Sequence, residues 1–158
     1  MAKIKQIAIA VENPDKAAKF YSETFGMKII GKWDDDREEG YFLTDGDLNL
    51  ALTKFKTEEA AAFIEGVEGG TNYKGLHHIG FHVDDYEKAC STLEETIGNK
   101  AIPATNTGFA KFKGPNGEII EISETGWPGM SATLTTDQAY INNQSARQWS
   151  AGWDRGAY

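Results

Sequence analysis

The stretch QIAIAVENPDKAAKFYSETFG (6–26) returns 72 residues later as HIGFHVDDYEKACSTLEETIG (78–98), aligned without a gap. Seven of the 21 positions are identical: Ile7/Ile79, Val11/Val83, Lys16/Lys88, Ala17/Ala89, Glu23/Glu95, Thr24/Thr96 and Gly26/Gly98. Others keep their chemistry, among them Glu12/Asp84 and Ile9/Phe81. Such a duplication restricts the fold sharply, because two copies of one supersecondary unit must bury equivalent faces in equivalent ways.

Each copy reads alike. Ile7, Ile9 and Val11, like Ile79, Phe81 and Val83, alternate as a strand with one apolar face does. Asn13 and Asp85 fall at equivalent helix N-caps, and Pro14 suits a first helical residue. The helices that follow are apolar at Ala17, Ala18, Tyr21 and Phe25, and at Tyr86, Ala89, Cys90, Leu93 and Ile97. Gly26 and Gly98 close them. Strand-like runs come next: MKIIGKW, GYFLTDG and DLNLALTKF in copy one, and NKAIPATN, TGFAKFKG and EIIEISE in copy two. A PNG turn joins the last two. Each copy is therefore expected to be a β-α-β-β-β module, which gives an α+β fold. Module one takes 3–55, a linker 56–75 and module two 76–126, so that 1–126 form one domain. Residues 127–158 form a C-terminal extension, whose Tyr140, Trp149, Trp153 and Tyr158 are expected to dock on the domain or on a partner chain.

Composition narrows the function. With 40% hydrophobic residues the chain has the material for a core, and a net charge of -8 disfavours nucleic acid and anionic membranes as partners. No run approaches the roughly 18 apolar residues of a spanning helix. Cys90 is the only cysteine, which leaves no internal disulfide and fits a reducing cytoplasm. On its helix it reads as a small core residue. There is no G-x-S-x-G elbow, Walker A or G-x-G-x-x-G motif.

The three histidines all lie in HHIGFHV (77–83). On a regular strand His78, Gly80 and His82 share one face and His77 looks to the other. His78 and His82 then stand about 13 Å apart, whereas ligands of one ion each sit about 2 Å from it. At most one of them serves a metal, and its partners come from elsewhere. If Ile7, Ile9 and Val11 face their helix, Gln6, Ala8 and Ala10 face away. By the same rule Ile120 and Ile122 point inward, while Ile119, Glu121 and Ser123 share the face of His78. His78 and Glu121 thus look into one space, and a carboxylate between isoleucines needs a partner.

HIGFHVDDYEKA followed by FAKFKGPNGEIIEI resembles the second module of the vicinal oxygen chelate superfamily, and QIAIAVENPDKAAKFYSETFGMKIIG resembles its first. That superfamily includes glyoxalase I, extradiol dioxygenases, methylmalonyl-CoA epimerase and the bleomycin and fosfomycin resistance proteins. The resemblance covers about residues 3–126. It implies paired modules in an open, cupped sheet, with metal ligands on the first and last strands of each. Position by position it assigns Gln6, His78 and Glu121 as ligands of a divalent ion such as Zn²⁺, Ni²⁺, Mn²⁺ or Fe²⁺. Ala51 falls where glyoxalase I has a fourth ligand, a glutamate; a register slip would bring Asn49 there instead. Glu121 would be both ligand and general base in a glyoxalase I-like lyase or isomerase acting on a small oxygen-chelating metabolite. Lys74 stands where glyoxalase I has a glutathione-holding arginine. Two alternatives stay open. One is an extradiol dioxygenase, although Gln6 replaces one histidine of its iron triad. The other is a non-catalytic binding cup lined by Trp33, Tyr41, Phe42, Phe109 and Phe112, residues that otherwise pack the core. A homodimer is expected.

Overall fold

The computed structural model describes residues 1–61, 70–102 and 108–130. Tyr140, Trp149, Trp153 and Tyr158 lie outside them, as do residues 103–106 of the NKAIPATN run and residue 107 of TGFAKFKG. Seven strands form one sheet in the order β2-β3-β4-β1-β5-β7-β6. They are β1 (Lys3–Ala10), β2 (Lys28–Asp34), β3 (Glu38–Thr44), β4 (Asn49–Phe55), β5 (Gly75–His82), β6 (Phe109–Lys113) and β7 (Ile119–Ser123). The longer helices are α1 (Pro14–Phe25) and α3 (Tyr86–Ile97); α2 (Glu58–Ala61) is one turn in the linker. Among the described residues, no helix is long and apolar enough to cross a membrane. The architecture is mixed α+β, as the duplication implies.

The two modules are built on one plan. The first strand of each pairs in parallel with the last, β1 with β4 and β5 with β7. Its antiparallel neighbours then continue outward, β3 and β2 on one side and β6 on the other. Beyond β6, Ile102 makes an isolated antiparallel bridge to Lys111, in the place that β2 takes beside β3. The modules of this one chain meet where β1 runs antiparallel to β5.

Helix ends repeat as faithfully as strands. The Asn13 side chain accepts from the Lys16 N–H, and the Asp85 side chain accepts from the Lys88 N–H, both at 2.9 Å. Gly26 and Gly98 end α1 and α3 in the left-handed conformation, at φ 69° and 74°. The same cap recurs 72 residues apart because the same orphan N–H groups must be satisfied.

Each helix covers one face of its own half-sheet. Ala18, Leu43, Leu50 and Leu52 form the core under α1, with Ile7, Ile9, Val11, Ala17 and Tyr21 against it. Val83, Ala110, Phe112 and Ile122 form the core under α3, with Phe81, Ala89, Cys90 and Leu93. Phe25, read from its spacing as part of the buried stripe, is exposed and meets Phe20 edge-on instead. It is the last residue of α1, where the helix has run past the sheet.

The other face is the concave one, and packing on it continues beyond β7. Trp127 and Met130 are buried, with Phe109 against them. Duplicated caps give a direct test of equivalence. Asn13→Ala and Asp85→Ala should each lower unfolding free energy by about 1 kcal/mol, and the losses should add in the double variant. Urea unfolding measures both; a cap that proves neutral would show that the modules are not held alike.

Candidate active site

Strand register brings together the three residues singled out from the sequence. On β1 Gln6 pairs with Gly80 of β5, and on β7 Glu121 pairs with the same Gly80 from the other side. His78 lies two residues away on β5, with its side chain on that face. A glycine at the crossing leaves room: a Cβ on Gly80 would sit 2.8 Å from Gln6 Cβ and 2.7 Å from the Trp127 ring. Gln6 Oε1 lies 3.0 Å from His78 Nε2, and Glu121 Oε2 lies 3.1 Å from the same nitrogen. Gln6 and Glu121 are both buried.

Side-chain amides fix the direction of Gln6. Its Nε2 donates to Asn49 Oδ1 at 3.1 Å, and Asn49 Nδ2 donates in turn to the Pro128 carbonyl at 2.8 Å. The Gln6 oxygen is thereby aimed at His78. Asn49 is fully buried beside Gln6 in the β1–β4 register, but it is not the counterpart of Glu121. Ala8 pairs with Ala51 as Gly80 pairs with Glu121, so Ala51 occupies the equivalent place. There it packs with Ala8, Trp33 and Phe42. The carboxylate missing from module one is replaced by an apolar cluster.

Glu121 is held from several directions. Lys111 Nζ lies 2.8 Å from its Oε1, and Trp127 Nε1–H donates to its Oε2 at 3.2 Å. Burial alone would raise the carboxyl, but the Lys111 ammonium and His78 outweigh it and hold it well below the usual carboxylate range. Burial also pushes His78 down, against the pull of Glu121, which leaves a neutral imidazole. The charge that keeps Glu121 ionised is therefore that of Lys111.

His77 departs from the strand alternation. Ala8 pairs with His78 but Ile9 pairs with Leu76, so His77 is an extra residue on β5, a β-bulge. The bulge turns its ring toward that of His78, with the two Nδ1 atoms 2.7 Å apart, and stacks it on Phe55 at 4.8 Å. Burial, with His78 and Lys111 adding, pushes its pKa down to about 3. His77 is thus a neutral neighbour of His78 rather than a residue of the opposite face. His82 is buried on the concave face, near Gly126.

The aromatic residues expected around a cup divide. Trp33 and Phe42 stack at 4.4 Å beside Ala51, and Phe109 lies against Trp127. Tyr41 and Phe112 pack into the helix-side cores instead. The sequence named Asn49 only as what a register slip would bring to the fourth-ligand position, and it offered no role for Lys111, Thr44 or Trp127. Lys111 alone had a local signal, since counting outward from the PNG turn places it across from Glu121.

The donors fit a divalent ion in kind: an amide oxygen, an imidazole nitrogen and a carboxylate oxygen, with two of their separations near 3 Å. Among the described residues, no cluster of three or more His, Cys, Asp or Glu side chains accompanies them. The Lys111–Glu121 pair makes a separate prediction. Lys111→Met strips the cation from a buried carboxylate and should cost about 3 kcal/mol at pH 7. Burial then raises the folded pKa of Glu121, so the deficit should shrink as the pH falls through the carboxylate range and the group takes up a proton. Urea unfolding at pH 7 and pH 4 checks this; an equal deficit at both would deny the ion pair its role.

The sequence model of the Glyoxalase/Bleomycin resistance protein/Dioxygenase superfamily matches residues 3–122. The chain is 35% identical over 109 residues to a lactoylglutathione lyase of Schizosaccharomyces pombe, across 58% of this chain and 36% of that one. It therefore spans little more than a third of that relative's length. A probable lactoylglutathione lyase of Vibrio parahaemolyticus is 28% identical, over 76% of this chain and 88% of its own. Among solved structures, Streptomyces coelicolor methylmalonyl-CoA epimerase in complex with 2-nitronate-propionyl-CoA shares the fold. It has a TM-score of 0.60 at 21% identity, covering 76% of this chain and 92% of its own. With the family model matching most of its length, this chain belongs to the glyoxalase/bleomycin resistance protein/dioxygenase superfamily.

Proposed function

We propose that the chain is a metal-dependent lyase or isomerase of glyoxalase I type, acting on a small metabolite with neighbouring oxygens. The observation that carries this reading is the meeting of Gln6 Oε1, His78 Nε2 and Glu121 Oε2 beside the β1–β5 seam. Relatives with lactoylglutathione lyase names support it. Gln6, His78 and Glu121 would hold the ion, which supplies Lewis acidity toward the substrate's oxygens when bound.

The remaining work falls to the side chains. Glu121 is the carboxylate that takes a proton from the substrate and returns it. Lys111 keeps it ionised and so ready to accept, at the cost of basicity. Ala51 gives no second carboxylate on the opposite side, so one group serves both halves of the transfer. His77 holds the ring of His78 through their Nδ1 contact, which leaves Nε2 facing Gln6 and Glu121. Because both modules of one chain build the site, the expected homodimer is not needed to complete it.

The Lys111–Glu121 contact favours a second reading, a metal-free binding cup, since it already neutralises the carboxylate. Metal analysis separates the two. After incubation with Zn²⁺, Ni²⁺ or Mn²⁺ and desalting, the enzyme reading expects about one retained ion per chain, lost in His78→Ala and in Glu121→Ala. Retention in neither the parent nor the variants, or equally in all, sinks it. With metal retained, methylglyoxal and glutathione should give a rising thioester absorbance, and that rise should vanish in Glu121→Ala.

A further inference from the structure

The concave face is occupied by the chain's own residues. From the end of β7 in module two, Gly126–Met130 cross toward β3 and β4 of module one. Trp127 donates its indole N–H to Glu121 Oε2. The Pro128 carbonyl accepts from Asn49 Nδ2, and the Gly129 carbonyl accepts from Thr44 Oγ1 at 2.6 Å. Trp127 and Met130 are 5% and 2% exposed, as deeply buried as core residues.

This segment is shaped in advance for that seat. Met130 N–H donates to the Trp127 carbonyl at 3.3 Å, Pro128 takes the second position, and Gly129 sits at φ 73° in the third. That is the signature of a type II turn, which needs a positive φ at its third residue. The fit around it is close. A Cβ on Gly129 would lie 2.5 Å from Ile30 and 2.8 Å from Thr44, and one on Gly80 would strike the Trp127 ring. Glycines on both surfaces let turn and sheet meet.

We propose that residues 126–130 are a strap seated in the substrate's place, and that the site works only when the strap lifts. The proposal rests on the reading of Gln6, His78 and Glu121 as the working centre. Trp127 takes a lone pair of the oxygen of Glu121 that faces His78, so a substrate reaching that atom must displace the indole. The strap also reaches the other side of the centre. The Pro128 carbonyl orients Asn49, Asn49 orients Gln6, and Gln6 presents its oxygen to His78. Lifting it frees Glu121 and releases the Gln6 amide together. Docked, these groups are one another's partners; with the strap lifted, each would turn to water or substrate.

Histidine labelling reads the state of the strap without metal or substrate. Diethylpyrocarbonate modification of His78 in the full chain, followed by mass spectrometry, should be slow in the parent. Thr44→Val removes the strap hydrogen bond to the Gly129 carbonyl, together with the one that Thr44 Oγ1 accepts from the Gly46 N–H within its own turn. Loss of the strap bond should raise the rate about fivefold, the effect of one net bond on an opening equilibrium. Gly129→Ala, which breaks both the turn and its seat, should raise it further. Far-UV circular dichroism and a cooperative melt confirm that each variant is folded; Thr44→Val decides the matter should Gly129→Ala unfold. Equal rates in the parent and the folded variants would overturn the strap. Accelerated labelling in a chain that retains no metal would keep the strap and reject the metal reading, so the two fail separately.

Discussion

A carboxylate that is 6% exposed on the floor of an open sheet has to be compensated, and much of this site is the compensation of Glu121. Its charge is met by Lys111 from the neighbouring strand, and its second oxygen by His78 and the indole of Trp127. His78 leans on His77 and faces Gln6; Gln6 is turned by Asn49; Asn49 is turned by Pro128. Removing the carboxylate would take from the Trp127 indole its acceptor and from His78 one of the oxygens facing Nε2. The network is continuous from β6 across the seam to β4, and it joins modules that otherwise share a backbone ladder.

That ladder sets the positions. Antiparallel pairing of β1 with β5 puts two equivalent first strands side by side, so the outward faces of both copies become one concave floor. A shift of one residue would send Gln6 to the helix side. The bulge at His77 confines such a shift to one end of the seam: His78 still pairs with Ala8, Leu76 before the bulge pairs with Ile9, and one additional ring is gained next to His78. The apolar sets Ile7, Ile9, Val11 and Phe81, Val83 pin the register, because Val83 is buried and the others pack, partly buried, against the core under their own helix.

The repeat, the caps and the faces of the strands were legible because they rest on local rules. Asn13 and Asp85 cap, Gly26 and Gly98 terminate, and period-two alternation puts Gln6, His78 and Glu121 on one side. His77 broke the alternation because a bulge is decided between strands, here by the pairing of β1 with β5, and nothing within HHIGFHV marks it. Phe25 matched the spacing of a buried stripe, yet it lies where the helix outruns the sheet, a matter of element length. Trp127 had no periodic signal at all. Its burial depends on meeting Gly80, 47 positions earlier, and on the side-chain donors Asn49 and Thr44 of the other module, which hold the Pro128 and Gly129 carbonyls.

The duplication also makes the divergence of the halves readable as chemistry. Register sets Ala51 against Ala8 and Glu121 against Gly80, so one ancestral pair of places has drifted in two directions. In module one the loss of a side chain lets Trp33 and Phe42 stack over two alanines, an arrangement that a carboxylate at residue 51 would have to push apart. In module two the glycine at residue 80 makes space for the Trp127 ring, and the acid at residue 121 takes its hydrogen bond. The floor is therefore apolar around Ala8, Ala51, Trp33 and Phe42, polar where Gln6, Asn49 and Thr44 face it, and charged at Glu121 and Lys111. The strap meets all three kinds of surface: its indole N–H meets Glu121, its Pro128 and Gly129 carbonyls accept from Asn49 and Thr44, and Gly129 sits against Ile30.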